Sequence, residues 1–184
     1  MAVFVVAVLA AAACSGSSAG NGEATGSTSL VLSKDGIGLA KFGDSIESVS
    51  GRVRARWGPP ELREAGCDSH VVSKFLNWDG VFLVFSADGL RGYLIGPRPA
   101  DPITPVGKDV QGAATVEGLR LGDSVGKARQ AYGARFMLEE NSLGPEFYIA
   151  EERDGWPVLM GFTTGLTDAD TITQVGAGDI CAVR

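Results

Sequence analysis

The chain has 184 residues, of which 45% are hydrophobic and 26 are glycine, and its formal net charge is −6. This apolar content is typical of a folded protein, and an acidic balance without a lysine or arginine block argues against a nucleic-acid partner. Because His70 is the only histidine, zinc sites built on histidine and Ser-His-Asp triads are not expected. We therefore expect no enzyme, no metal and no cofactor.

The N-terminus has the composition of a secretory signal. Residues 2–13 are apolar throughout, which suits a signal-peptide core and is too short for a helix that crosses a bilayer. Cys14 follows Ala11-Ala12-Ala13, and a Gly/Ser-rich stretch comes next. This resembles a bacterial lipoprotein signal, with residues 1–13 removed, a lipid on Cys14, and residues 14–29 as a flexible membrane tether. The alternative is a plain secretion signal with an incidental cysteine.

The remaining sequence contains two copies of one pattern. Gly43-Asp44-Ser45 recurs as Gly122-Asp123-Ser124, and Trp57-Gly58 has its counterpart in Tyr132-Gly133. An Asp-Gly pair follows at a matching place in each copy. Landmarks that recur in the same order predict a tandem duplication. We assign a first repeat unit to residues 30–98, a proline-rich linker to 99–112 and a second unit to 113–184.

Each unit is predicted to contain a helix followed by an antiparallel sheet. The apolar residues of 46–57 have helical spacing, and Asp44 is expected to cap that helix. Two β-rich runs, 71–78 and 81–86, are joined by Asp79-Gly80, a two-residue hairpin signal. The second unit has the same arrangement, at 147–153 and 156–163. We therefore predict an α+β fold of two tandem units, each a short helical half packed on an antiparallel sheet of about three or four strands.

Strand alternation gives each predicted sheet two faces. The more apolar face is expected against the helices, and it consists of Leu76, Trp78, Val81, Leu83 and Phe85 in the first unit and Phe147, Ile149, Trp156, Val158, Met160 and Phe162 in the second. The opposite face carries Phe75, Asn77, Phe82, Tyr148 and Leu159. Large aromatic side chains on an uncovered sheet are typical of a protein-binding surface. The alternative is that the tether, the linker or packing between the units buries this face.

The repeated unit resembles a known family. A Gly-polar-Ser helix start, a helix that ends at glycine, and an antiparallel sheet, all in tandem, are similar to the β-lactamase inhibitory protein family. The single unit also resembles the outer-membrane assembly lipoproteins of the small-protein-A type. The matching positions are 42–46 with 57–59, and 121–125 with 132–133. The resemblance implies the tandem architecture, but that family places a disulfide inside each unit, whereas this chain has one cysteine per unit.

Two cysteines remain beyond Cys14. An even count in an oxidising compartment is typical of a disulfide, so Cys67 and Cys181 are expected to be bonded. The closed loop of about 115 residues corresponds to about 4–5 kcal/mol of stabilisation. The alternative is two separate buried thiols. Cys67 has Asp68 and His70 close by in sequence, but a bonded cysteine is no nucleophile, and we predict no catalytic residue.

The sequence thus favours a membrane-anchored extracytoplasmic lipoprotein that acts as a non-catalytic protein-binding module. An inhibitor is one kind of such a module. Its partner is expected to be another extracytoplasmic protein, and its lipid contacts the membrane. The alternative is an envelope assembly or scaffold lipoprotein that contacts cell-wall or membrane components.

Overall fold

The computed structural model describes residues 30–180 apart from 69–70, 79, 98–109, 111 and 152–156, and it does not describe the side chains of 65–68 and 71–73. Its helices are α1 (Ile46–Trp57) and α2 (Val125–Tyr132), and a 3-10 turn follows at Gly133–Arg135. The strands are β1 (Val31–Ser33), β2 (Gly36–Ile37), β3 (Ala40–Lys41), β4 (Glu61–Asp68), β5 (Val71–Trp78), β6 (Val81–Ser86), β7 (Gly89–Ile95), β8 (Ala114–Thr115), β9 (Phe136–Asn141), β10 (Gly144–Ala150), β11 (Pro157–Phe162) and β12 (Val175–Gly178).

Eight strands form one antiparallel sheet in the order β4-β5-β6-β7-β12-β11-β10-β9. Its two halves meet where β7 pairs with β12, from Ile95 opposite Val175 to Gly92 opposite Gly178. The predicted α+β fold of two separate helix-on-sheet units is therefore wrong, since 47% of the described residues are in strands and the two helices given above are short. The physical reason is that a four-stranded sheet leaves an open edge, and here the last strands of the two halves satisfy each other's backbone groups.

A second layer covers one side of this sheet, which we call the inner face. The layer consists of the two helices and a small sheet in the order β3-β2-β1-β8. Tyr93 of β7 joins the layers, because its buried hydroxyl donates a hydrogen bond of 2.9 Å to the Ser33 carbonyl. The main core lies between the layers, and among its members are Leu32, Ile37, Val49, Val53, Leu83, Phe85, Val125 and Phe147.

Both helices begin at a serine. Ser45 Oγ accepts the N–H of Ser48, and Ser124 Oγ accepts that of Lys127, at 3.2 and 3.1 Å. The expectation that Asp44 caps α1 is wrong by one residue. The Asp44 carboxylate instead accepts the backbone N–H of Lys41, so it closes the turn before the helix.

The first predicted hairpin is confirmed and the second is wrong in register. Trp78 lies opposite Val81, as a two-residue connection requires, and the inner-face residues predicted for β5 and β6 are all in the main core. In the second half, Ile149 lies opposite Leu159 rather than Met160, and the ladder shifts between Ile149 and Ala150. A shift of one residue exchanges the faces of a strand, so Leu159 is in the main core and Met160 is on the other side.

The two edge strands of the large sheet, β4 and β9, were not predicted. Their sequences are ELREAGCD and FMLEEN, in which charged residues replace the alternation of apolar and polar side chains. Charged side chains are common on edge strands, because they discourage pairing with other chains. An edge strand therefore gives a weak sequence signal.

The linker predicted at 99–112 lies mostly outside the described residues. Val110, near its end, is buried in the main core, as is Ala113 after it. The predicted signal peptide (1–13) and the predicted tether (14–29) also lie outside the described residues. Within the described ranges, neither helix has the length and apolar character needed to span a membrane.

Candidate functional site

The side of the large sheet away from the helices, which we call the outer face, carries a continuous cross-strand row. Directly paired residues share a face of a sheet, and neighbouring strands lie about 4.8 Å apart, so a row through eight strands spans about 34 Å. The row consists of Glu61, Asn77, Phe82, Leu94, Gly176, Met160, Tyr148 and Met137. It therefore brings Asn77, Phe82 and Tyr148, which were predicted as binding residues from both halves of the sequence, onto one surface.

The β5–β7 part of the outer face is covered. Phe75 and Phe82 are only 4% and 2% exposed, and they pack with Val84, Leu94 and Ile180 in a cluster separate from the main core. The prediction that Phe75 and Phe82 lie on an open surface is wrong, because Ile180, which follows β12, packs against them. These two aromatic residues therefore stabilise the fold in this state.

The β9–β11 part of the outer face is more accessible. Met137 is 45% exposed, and Tyr148 and Met160 beside it are partly buried. Glu139, on the same strand as Met137, is exposed and lies opposite Glu146. We call Met137, Glu139, Tyr148 and Met160 the exposed patch. The sequence did not predict Met137 and Glu139 as site residues because β9 itself was missed.

The side-chain amide of Asn141 hydrogen bonds to two polar residues at this patch. Asn141 Nδ2 donates to the fully buried carboxylate of Glu146, and the Asn141 side chain is also hydrogen bonded to Tyr148. Partial burial raises the pKa of Tyr148, and the nearby Glu139 carboxylate raises it further, while the Asn141 hydrogen bond acts in the opposite direction. Tyr148 therefore stays a neutral phenol that can donate a hydrogen bond to a partner.

At the opposite edge, the row ends in a polar cluster. Arg63 Nε donates to Glu61 Oε1 at 2.7 Å, and Asn77 Nδ2 donates to Glu61 Oε2 at 3.2 Å. The Asn77 Oδ1 atom is buried without a hydrogen-bond partner. Asn77 thus lies on the predicted face, with its donor group committed to Glu61.

Other predicted site residues lie elsewhere. Leu159 is 5% exposed on the inner face, so its assignment to the open face is wrong because of the register shift in β11. Cys67 lies in β4, where its side chain is outside the description. Cys14 and Cys181 fall outside the described residues, as does His70. The lipidation of Cys14 and the bond between Cys67 and Cys181 stay predictions.

The described residues offer little material for chemistry. They contain no group of three or more histidine, cysteine, aspartate or glutamate side chains that could hold a metal ion. Asp170, in a polar loop, accepts hydrogen bonds from Thr167 N, Thr167 Oγ1 and Thr164 Oγ1 at 2.8, 2.6 and 3.0 Å. These bonds, chiefly those from Thr167, lower the pKa of Asp170 and tie the loop together.

Comparison with known proteins returned no protein-family model, curated protein or solved structure that matches this chain.

Proposed function

We propose that the chain is a membrane-anchored extracytoplasmic lipoprotein whose folded domain binds another protein and catalyses no reaction. The sequence around Cys14 supports the anchor, and the outer face supports the binding role. The resemblance to the β-lactamase inhibitory protein family is a further proposal, and no target is carried over from it.

The exposed patch is the observation that carries the binding role. Met137 and Tyr148 supply apolar area, and Tyr148 also supplies a hydroxyl, a combination common at protein interfaces. Among the described residues, the charged side chains near them on the outer face are the exposed Glu139 and the buried Glu146. We infer that the partner presents basic side chains next to apolar ones, because such a surface complements both features.

The point at which the tether joins the domain is compatible with binding at the outer face. The described chain starts at Leu30, directly before β1, and β1 belongs to the layer on the inner face. A tether of residues 15–29 would have an r.m.s. length of about 20 Å and a maximum reach of about 50 Å. With its anchor on the side of the helices, the domain can turn its outer face away from the membrane.

Site-specific photo-cross-linking in the source cells tests the binding role. A photoreactive residue replaces Met137, and in a matched strain it replaces Val116, an exposed apolar residue next to β8 in the inner layer. We expect a protein adduct of defined mass from position 137 and none from position 116. No adduct at position 137, or the same adducts at both positions, would contradict the proposed surface.

The anchor has its own test. Cys14→Ser should abolish incorporation of labelled palmitate into the protein. Continued incorporation in Cys14→Ser would contradict lipidation at Cys14, and the binding role would then be judged by the cross-linking result alone.

The envelope-scaffold alternative has one supporting observation. Arg54 is exposed on α1, as is Arg52, which is paired with Asp44. These cations lie in the layer where the described chain begins, so they suit an anionic wall polymer or lipid surface. Co-sedimentation with purified cell wall or anionic vesicles that is lost in Arg54→Glu, without a protein adduct at position 137, would favour this alternative.

A further inference from the structure

Strand β9 forms one open edge of the large sheet. It pairs with β10 on one side, and among the described residues no strand lies beyond it. A strand that is paired on one side only has half of its backbone N–H and C=O groups pointing away from the sheet. An edge of this kind can pair with an extended segment of another protein.

A proline determines which backbone groups of β9 point outward. Pro145 of β10 lies opposite Glu140, and because proline has no N–H to donate, these two residues form a pair without direct hydrogen bonds. Such pairs alternate with hydrogen-bonded pairs in an antiparallel ladder, so Phe147 and Leu138 form the next one. The two residues of such a pair point their backbone groups away from each other. The N–H and C=O groups of Leu138 and Glu140 therefore face the open edge.

The side chains along this edge change from apolar to acidic. Met137 is 45% exposed and Leu138 is partly buried, whereas Glu139 and Glu140 are exposed. Neither glutamate forms an ion pair with another described residue. An antiparallel segment that complements this order has two basic residues followed by two apolar residues, because cross-strand neighbours lie side by side.

The charges favour a different protein over a second copy of this chain. Pairing between two β9 strands would bring the Glu139 and Glu140 carboxylates of both copies to one junction, and like charges oppose such pairing. A basic segment of a partner would instead compensate both glutamates. The edge is also continuous with the exposed patch, since Met137 and Glu139 belong to both.

We propose that an extended segment of the protein partner adds to the large sheet as a ninth strand, antiparallel to β9, through backbone hydrogen bonds to Leu138 and Glu140. Its basic side chains lie beside Glu139 and Glu140, and its apolar side chains lie beside Leu138 and Met137. The proposal rests on the proposed binding role and specifies how the partner is held. Backbone pairing supplies affinity, and the order of basic and apolar side chains supplies specificity.

The test uses the full chain and a synthetic peptide as the probe. The peptide is fluorescent, has blocked ends and contains threonine, lysine, lysine, valine, valine and threonine in that order. In the proposed register its first valine lies opposite Leu138 and its second valine lies opposite Met137. N-methylation of the first valine removes a hydrogen bond to β9, whereas the N–H of the second valine points away from β9. In fluorescence anisotropy, only the first change should weaken binding at least tenfold.

Amide exchange of the full chain shows whether this edge is open and where the peptide binds. In the free chain, the amides of Leu138 and Glu140 should have protection factors at least tenfold lower than those of Met137 and Glu139, which donate to β10. Saturation with the peptide should raise the protection of Leu138 and Glu140 at least tenfold and leave that of Met137 and Glu139 unchanged.

Variants of the edge give a second test of backbone pairing. Leu138→Pro removes an outward N–H and no hydrogen bond to β10, and Leu138→Ala is the matched control, because it removes the same side chain and keeps the N–H. We expect Leu138→Pro to bind the peptide at least tenfold more weakly than Leu138→Ala. Glu140→Gln should weaken binding at least threefold. Glu64→Gln, at an exposed glutamate of the opposite edge strand β4, should bind as the wild type does.

Three results would overturn the proposal. Strong protection of Leu138 and Glu140 in the free chain would show that this edge is already covered. An absence of peptide binding, or an equal loss with both N-methylated peptides, would contradict backbone pairing with β9. Each of these results is compatible with a protein adduct at position 137, so failure of this binding mode is distinguishable from failure of the binding role.

Discussion

Asp44 and Asp123 make matching contacts in front of the two helices, 79 residues apart in sequence. Asp44 Oδ2 accepts the N–H of Lys41 at 2.9 Å, and Asp123 Oδ2 accepts that of Arg120 at 2.8 Å. In each case the next residue is the serine that caps the helix. The Gly-Asp-Ser pattern therefore has one physical meaning at both places: the aspartate closes a turn and the serine starts a helix.

The two caps should contribute separately to stability. Ser45→Ala and Ser124→Ala should each lower the free energy of unfolding by about 1 kcal/mol, because each removes the acceptor for a helix N–H. The double variant should lose about 2 kcal/mol, since distant sites are additive. Urea unfolding of each variant measures these changes in the free energy of unfolding. Ser48→Ala is the control, because only its backbone N–H takes part in the cap, and an equal loss there would contradict the assignment.

The burial of Phe82 on the outer face predicts how much the removal of its side chain destabilises the protein. Phe82→Ala should lower the free energy of unfolding by about 3–5 kcal/mol, as expected for a buried aromatic residue. Met137→Ala, on the same row but 45% exposed, should change it by less than about 1 kcal/mol. Equal, small effects in urea unfolding would show that Phe82 is exposed in solution.

Tyrosine burial predicts a loss of stability at alkaline pH. Desolvation raises the pKa of Tyr93 and of Tyr132 well above the ordinary value of 10.0. The unfolded chain ionises more readily, so the stabilisation is complete below pH 10 and is lost as the pH rises above it. Urea unfolding between pH 8 and 11.5 should show this decline, with a shallower slope in Tyr132→Phe.

An ultraviolet titration of the tyrosines can contradict the predicted rise in their pKa values. The chain has three tyrosines, and the pKa of the third, Tyr148, is also raised. Phenolate absorbance from more than one tyrosine at pH 10, while the circular dichroism is still that of the folded protein, would contradict this account.

Part of the fold could be predicted because its signals are local. The alternation of Leu76 and Trp78 with polar neighbours, and the two-residue connection from Trp78 to Val81, determined the first hairpin and its inner face. In the second half, the ladder shift next to Ala150 is not visible in the residue pattern, so Leu159 and Met160 were each predicted on the wrong face.

The remaining differences come from contacts between distant parts of the chain. The pairing of β7 with β12 joins the halves into one sheet, and no motif in either strand predicts this pairing. The cover provided by Ile180 is equally non-local, so Phe82 was predicted on the correct face with the wrong exposure. Asn77 and Tyr148 were placed correctly on the outer face, because alternation within a hairpin is enough to assign a face.

The most direct test of the central claim is the affinity of the protein that cross-links at position 137 for the purified full domain. Tyr148→Ala and Met137→Ala should each weaken binding at least tenfold, since anchoring aromatic and methionine side chains dominate such surfaces. Val116→Ala should change it less than twofold, and added salt should weaken binding to the wild type because the patch carries the Glu139 carboxylate. Wild-type affinity in Tyr148→Ala and Met137→Ala would contradict the claim that this domain binds through its outer face.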